Sequence, residues 1–484
     1  VYLADRRSAS SSAASPVERP PGPDRRPGRR AVAAVPSTVL VLGTVSLITD
    51  ISSEMVTAVL PLYLVAELGL SPLGFGVLDG LYNGVSALVR LVGGRLSDRG
   101  RGGGHKAVAV VGYGLSALCK PLLLMVHSLP LIGAVLAVDR TGKGLRTAPR
   151  DAMISLAAEP ATRGRAFGVH RAMDTAGALC GPLVAFVLLR VAAEGYDAVF
   201  TVSFCVAVLG VVVLLLFVPG RAARAAERTP AAERTTPAES TTVAERTAVA
   251  ESTAVAESTT VAEGTTVAEE TAERDPAGPR MPVRALLGRP EVRRLTGCAV
   301  LLGLTTISDS FLYLTLQRRL DLPGGWFPLL PLGTAAVFLL LAVPLGAIAD
   351  RIGRRRLFLA GHLALLCAYG LLLAPLSGGA ALVCAVLALH GSFYAATDGV
   401  LAAATADAVP EHVRGSGLAV VQTGQTAARF LCSLAFGAAW TAWGDHTAIL
   451  AAAIGLALAA AVSARLLRRV GASSPLNSPP EQAS

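Results

Sequence analysis

Uninterrupted apolar stretches of twenty or more residues recur along the whole chain, and a water-soluble fold has no place for so many of them. As helices rising 1.5 Å per residue, they are long enough to cross a hydrocarbon layer about 30 Å thick. They fall near residues 38–65, 74–97, 106–127, 130–150, 165–190 and 196–218. After a long polar insert they resume near 295–316, 327–349, 357–376, 380–404, 417–440 and 446–467. The spacing therefore predicts six spans, a linker and six more spans. The domains that follow are a basic tail over 1–37, a first bundle over 38–218, a linker over 219–294, a second bundle over 295–467 and a tail over 468–484.

Composition points the same way. Charged residues make up 16% of the 484 and hydrophobic ones 52%, with a mean hydropathy of +0.56, whereas soluble domains carry about 25% charged residues. A soluble enzyme and a secreted disulfide scaffold are both excluded. The cysteines all lie in or beside apolar runs and none forms a C-x-x-C pair, so they read as small helix residues. The first run is too long for the apolar part of a signal peptide and lacks a cleavage site behind it, so it reads as a retained first span. The net charge of +9 comes from arginine, since Lys106, Lys120 and Lys143 are the only lysines. With the excess of Ala, Gly and Val, this matches a GC-rich coding sequence and implies no nucleic-acid partner.

The basic residues also predict an orientation. Lysine and arginine crowd the amino-terminal tail, the loops between spans 2 and 3, 4 and 5, and 8 and 9, and the central insert. The other side has only Arg190, Arg318 and Arg319. The positive-inside rule places both termini in the cytoplasm. In the insert, glutamate stands at every sixth position from Glu227 to Glu269, within units such as TTVAER and TAVAES. A period of six matches neither a helix nor a half-buried strand, so the insert reads as a flexible linker grown by repeat expansion.

Two loops share a pattern. GGRLSDRGRGGGHK joins spans 2 and 3, and GAIADRIGRRR joins spans 8 and 9. Both contain G-x-x-x-D-R followed by glycine and basic residues: Gly94, Asp98 and Arg99 in the first, and Gly346, Asp350, Arg351, Gly353 and Arg354 in the second. Here the chain resembles the major facilitator superfamily, whose loop motif occupies these two places. In the first copy Arg101 and Gly102 are transposed against the usual order. The resemblance covers about 38–218 and 295–467. It implies an all-α membrane fold of twelve helices in two six-helix bundles, with a central cavity and alternating access. The motif residues would form ion pairs at the cytoplasmic lip and hold one gate state.

Inside the spans, the resemblance extends to two further motifs. Span 4 contains Asp139-Arg140-Thr141-Gly142-Lys143-Gly144, which resembles the superfamily's R-x-x-Q-G with Lys143 in place of glutamine; in the family this arginine is linked with proton coupling. Arg140 lies roughly 15 Å along a helix from Pro130, near mid-membrane, where a guanidinium needs a cavity and an acidic partner. Span 5 contains Gly168, Gly177 and Gly181-Pro182, spaced as in the motif of proton-driven antiporters, but Ala185 and Phe186 replace its final glycines. Independently of any family, glycines at these spacings read as a close packing seam, and Pro182 as a kink.

The titratable candidates come from the residues themselves. Asp50 and Glu54 are i, i+4 neighbours roughly 18 and 24 Å beyond Thr38 in span 1. Two carboxylates on one face repel when both are ionised, which suits a proton carrier. The alternative is a fixed bridge from Asp50 to Arg140 or Arg171. His170 and Asp174 share a face of span 5, with Arg171 three residues before Asp174. In span 7, T-x-I-S repeats the pattern of span 1, aligning Asp309 with Ser53 as in parallel repeats around a shared cavity.

These features imply a secondary transporter with no ATP site, no bound metal or cofactor and no enzymatic function, driven by the proton gradient in a bacterial cytoplasmic membrane. Its partners would be protons, lipid and a small-molecule or ion substrate, and it would act as a monomer. Export by antiport is the first expectation. Proton-linked uptake, or carriage of a metal or metabolite, is the alternative, and a non-transporting sensor or scaffold is a different class. Because the hexads have no face to bury, deleting residues 228–270 should leave transport intact at normal membrane levels, as a flux assay on the deletion variant would register.

Overall fold

The computed structural model describes residues 35–99, 105–159, 162–193, 195–218, 287–376, 379–397, 401, 405 and 414–471. The two tails and the hexad linker lie outside the described residues, which form thirteen α-helices and no strand. The first half contains α1 (Ser37–Leu62), α2 (Pro72–Arg99), α3 (His105–Met125), α4 (Leu129–Ala157), α5 (Arg163–Val191) and α6 (Gly195–Phe217). The second contains α7 (Pro290–Gly303), α8 (Asp309–Arg319), α9 (Leu329–Ile352), α10 (Arg354–Leu373), α11 (Gly379–Thr397), α12 (Arg414–Trp443) and α13 (Asp445–Gly471). Helix is the expected outcome, because hydrocarbon offers a backbone N–H no partner except its own chain. Eight of the described helical segments are long and apolar enough to cross a membrane. Leu216, Phe217, Leu340 and Leu458 face outward, as an apolar solvent requires.

The sequence predicts one continuous helix over 295–316, but the chain breaks it at Leu304–Ser308, between α7 and α8. Side chains from neighbouring helices satisfy the backbone there. The Ile307 N–H donates to the Tyr369 hydroxyl of α10 at 2.8 Å, and the Cys432 thiol of α12 donates to the Thr306 carbonyl at 3.2 Å. Thr306 also turns its hydroxyl back to the Leu302 carbonyl. An interrupted helix persists at membrane depth only when protein surrounds the break. The interruption brings Asp309 to the first turn of α8, where the helix dipole favours a carboxylate.

In the first half, α1 packs against α5 and α6, α3 against α4 and α6, and α2 against α4. The α1–α5 seam depends on small residues. A Cβ on Gly177 would meet the Leu47 backbone, and one on Gly181 would meet the Ile51 carbonyl and Glu54. Gly168, expected in the same seam, has open space at its Cβ position, so close packing does not explain it. Ser52 and Ser203 exchange hydroxyl-to-carbonyl bonds of 2.7 Å between α1 and α6. In the second half, α10 and α9 pack on α11, and α13 packs on α10, α7 and α12.

The halves meet chiefly where α2 packs against α12, with α5 against α9 as a lesser contact. Gly76 and Gly437 let the α2 and α12 backbones approach, and the Leu73 N–H donates to Thr441 Oγ1 at 3.0 Å. Phe75, Phe311, Phe436 and Trp440 fill the junction, the first three with ring centroids 4.9 Å apart in sequence. This seal lies at the end of the molecule that has the α1–α2 and α12–α13 turns, opposite the α2–α3 loop. The two cross-half contacts involve spans 2 and 11 and spans 5 and 8, which exchange when the halves are superposed as parallel repeats.

The seam can be tested by adding single methyl groups. Gly177→Ala and Gly181→Ala should lower stability in detergent by about 1–3 kcal/mol, since neither backbone contact can yield. Gly168→Ala should be neutral or stabilise by about 0.5–1 kcal/mol through helix propensity. Melting of the purified variants would check the contrast.

Candidate functional site

Charges carried by α4 organise the interior of the first half. Lys143, Arg146 and Arg150 lie three and four residues apart, so they share one face of the helix. α4 runs antiparallel to α1, which pairs later residues of one with earlier residues of the other. Lys143 Nζ is accordingly 3.6 Å from Glu54 Oε1, and Arg146 Nη2 is 3.5 Å from Asp50 Oδ1. One turn further along α4, Arg150 Nη1 reaches Ser46 Oγ of α1 at 3.3 Å and Asp174 Oδ1 of α5 at 3.5 Å. Asp50 and Asp174 also lie within hydrogen-bonding reach of each other. α1 and α5 thus each present an acid to an arginine of α4, Asp50 to Arg146 and Asp174 to Arg150.

This arrangement corrects several pairings expected from sequence. Asp50 pairs with Arg146, not with Arg140 or Arg171. Its acidic neighbour is Asp174 rather than Glu54, which points along α1 to Lys143 instead. Arg140 takes its partner from the preceding residue: its Nε and Nη2 lie 3.0 and 2.5 Å from Asp139 Oδ2, and Ser116 Oγ donates to the other oxygen at 2.5 Å. The Arg140 guanidinium also stacks 4.0 Å over the Tyr82 ring. Arg171 reaches Asp174 only at 4.0 Å, the i, i+3 contact expected from spacing. His170 is 3% exposed, with Nε2 3.0 Å from Ser46 Oγ, so it joins α5 to α1. The sequence reading missed Arg146 and Arg150. Their i+3 and i+7 spacing from Lys143 was the available signal.

A cavity of about 420 Å³ lies immediately below the α2–α12 seal and is lined by both halves, within the range typical of small-molecule sites. Of the titratable residues picked out from sequence, Glu54 and Asp309 line it. Asp50, Arg140, Lys143, His170, Arg171 and Asp174 are not among its lining residues. Asp79 and Arg429 complete the charged lining. Asp79 accepts a hydrogen bond from Ser433, which ties α2 to α12. Asp309 Oδ1 accepts from the Tyr394 hydroxyl at 2.6 Å and lies 3.1 Å from His390 Nε2. His390 is fully buried there.

The loop motifs occupy helix ends. Gly94, Asp98 and Arg99 belong to the last turns of α2, and Gly346, Asp350 and Arg351 to the end of α9. The side chains of Gly94, Asp98, Arg99 and Asp350 lie outside the described residues, so the expected gate ion pairs do too. Gly353 alone separates α9 from α10 at φ 94°, a conformation open to glycine, and Arg354 begins α10. In the helix-5 motif, Gly177, Gly181 and Pro182 are buried inside α5. Among the described residues, no group of three or more His, Cys, Asp or Glu side chains is placed to hold a metal ion.

Comparison with known proteins adds the family. The model for the Major Facilitator Superfamily matches residues 42–339 and 325–483, and the chain belongs to that superfamily. An uncharacterized MFS-type transporter of Methanocaldococcus jannaschii is 36% identical over 179 residues, which is 37% of this chain and 43% of the relative. An uncharacterized protein of Mycobacterium tuberculosis is 35% identical over 158 residues, covering 33% and 38%. The matched stretch thus spans less than half the length of either relative. Among solved structures, the nucleoside transporter NupG superposes with a TM-score of 0.65 at 11% identity, over 89% of this chain and 99% of that one. A bacterial homolog of the human lysosomal transporter Spinster, inward-facing and occupied, gives 0.62 at 14% identity, over 89% and 96%. At these identities the likeness is one of fold.

The new pairings make a specific prediction. Arg146→Ala leaves the Asp50 carboxylate buried without its cation and should cost about 3–5 kcal/mol of stability. Adding Asp50→Asn should recover a large part of that loss. A double-mutant cycle on melting of the detergent-solubilised protein would measure the coupling.

Proposed function

We propose that this chain is a secondary active transporter that moves a small molecule by alternating access, coupled to protons, with export by antiport as the preferred direction. The supporting observation is the cavity between the halves, closed at one end by the α2–α12 seal and lined by carboxylates from both halves. Placing charges at such depth is costly unless they are used. With both termini cytoplasmic, as the basic loops imply, the seal lies at the outer end. The structure then corresponds to the form closed to the outside. Twelve crossings follow from the same reading, with α7 and α8 together forming the seventh.

The coupling site is assigned to Asp50 and Asp174, which are not among the cavity-lining residues. Two carboxyl groups in contact can share one proton, and Arg146 and Arg150 offer alternative partners when that proton leaves. Protonation would therefore change how α1, α4 and α5 are held together, and those helices form the first-half wall of the site. The cavity carboxylates Glu54 and Asp309 are assigned to the substrate. The loop motifs of α2 and α9 are assigned to the inner gate, which opens and closes as the halves rock. The preference for export rests on the partial helix-5 antiporter motif, whose Gly177 and Gly181 also have a packing reason to be glycine.

Proteoliposome flux with an imposed pH gradient, measured against a substrate panel, tests the reading. Asp50→Asn and Asp174→Asn should lower gradient-driven accumulation ten-fold or more while counterflow exchange continues. Glu54→Gln and Asp309→Asn should depress both, because they alter the binding cavity itself. Full pH-driven transport in Asp50→Asn and Asp174→Asn would move the proton pathway elsewhere.

A further inference from the structure

The charged residues lining the cavity are unevenly balanced. Glu54 of α1, Asp79 of α2 and Asp309 of α8 face it, against one guanidinium, Arg429 of α12. Lys143, 3.6 Å from it, offsets Glu54. Arg140, the other nearby cation, is committed to Asp139 and to one face of Tyr82. Asp79 accepts from the Ser433 hydroxyl, and Asp309 from the Tyr394 hydroxyl with the His390 imidazole 3.1 Å away; the hydroxyls orient a carboxylate without cancelling its charge. Most of the remaining lining is apolar or aromatic, with Tyr313, Phe327 and Phe338 presenting rings to the space.

We propose that the cavity takes a small organic cation, an amine or quaternary ammonium compound with one or two rings. The proposal rests on the reading of this cavity as the substrate site. A positive centre would be drawn to the carboxylates, whose field is strengthened by the low dielectric around them. Its apolar body would lie against the rings, which also attract cations through their faces. Tyr82 already shows that chemistry with Arg140. An anionic substrate would have to approach three carboxylates, with Arg429 in the lining and the Lys143 paired to Glu54 in compensation. A neutral one would displace water from the carboxylates and return no charge to them. Because Glu54 belongs to one half and Asp309 to the other, a cation held between them would also favour the arrangement in which the halves close around it.

Equilibrium binding to the purified full chain in detergent tests this without any gradient, so its outcome is separate from that of the transport reading. The probes are one- and two-ring aryl ammonium compounds, their uncharged carbon isosteres and size-matched aryl carboxylates, followed by calorimetry and thermal shift. Binding and a raised melting temperature should be confined to the ammonium set. Asp309→Asn should weaken that binding ten-fold or more, while Asp445→Asn, at the partly exposed start of α13 and outside the cavity lining, should leave it unchanged. Equal binding by the uncharged isosteres, preferential binding by the carboxylates, or no response from any ammonium compound would each overturn the cationic assignment. If proteoliposomes then move a neutral or anionic compound, the transporter reading survives that failure.

Discussion

Three cations on one face of α4 meet acids on two other helices, and the first half is organised around that ladder. Lys143, Arg146 and Arg150 reach Glu54, Asp50 and Asp174 in turn, so α4 is held against α1 and α5 by charge as well as by packing. In hydrocarbon an unpaired charge costs several kcal/mol, and apolar contact alone gives helices little reason to prefer one register over another. The ladder supplies that register. It also accounts for α4 being absent from the helices apolar enough to count as spans on composition alone: its polar residues are turned inward and partnered.

The same economy operates at the interface between halves. α2 and α12 approach through Gly76 and Gly437, and an aromatic cluster around Phe311 closes the junction. Asp79 and Ser433 join the two helices just inside it. The bond lies at the edge of the cavity, so any rearrangement that parts the seal must also release a buried carboxylate. The break before α8 places Asp309 on the opposite wall, with Tyr394 and His390 beside it. The acids of the cavity are therefore each anchored to a different structural element, and a ligand that contacts more than one of them links those elements.

Charge in this molecule is divided between two layers. Asp50 and Asp174 pair with arginines of α4 outside the cavity lining, whereas Glu54, Asp79, Asp309 and Arg429 line the open space. Glu54 belongs to both, since it faces the cavity and is paired with Lys143 of the ladder. A change at either layer can thus be felt at the other through α1, a single rigid helix that bears Asp50 and Glu54 one turn apart. Under the proposed function, this helix is a route by which proton and substrate could be coupled without contact between the two.

How much was legible in the sequence depends on whether the cause is local. Apolar run length determined the membrane-embedded, all-helical character, because a backbone in hydrocarbon has no alternative to its own hydrogen bonds. The repeated G-x-x-x-D-R loops, at Asp98 and Asp350, marked the division into two halves and the family. The i, i+4 spacing placed Asp50 with Glu54 and His170 with Asp174 on common faces. Spacing within one helix, however, says nothing about what another helix presents to that face. Asp50 met Arg146 rather than Arg140 because α1 and α4 are antiparallel at a particular register, and that register is set by packing among α1, α4 and α5. The break at Leu304–Ser308 was hidden for a similar reason: its backbone is satisfied by Tyr369 and Cys432, distant in sequence, so nothing local announces it. Which acids line the cavity and which do not was likewise decided by tertiary structure, since the face a residue presents in a bundle depends on helix rotation and not on position along the chain.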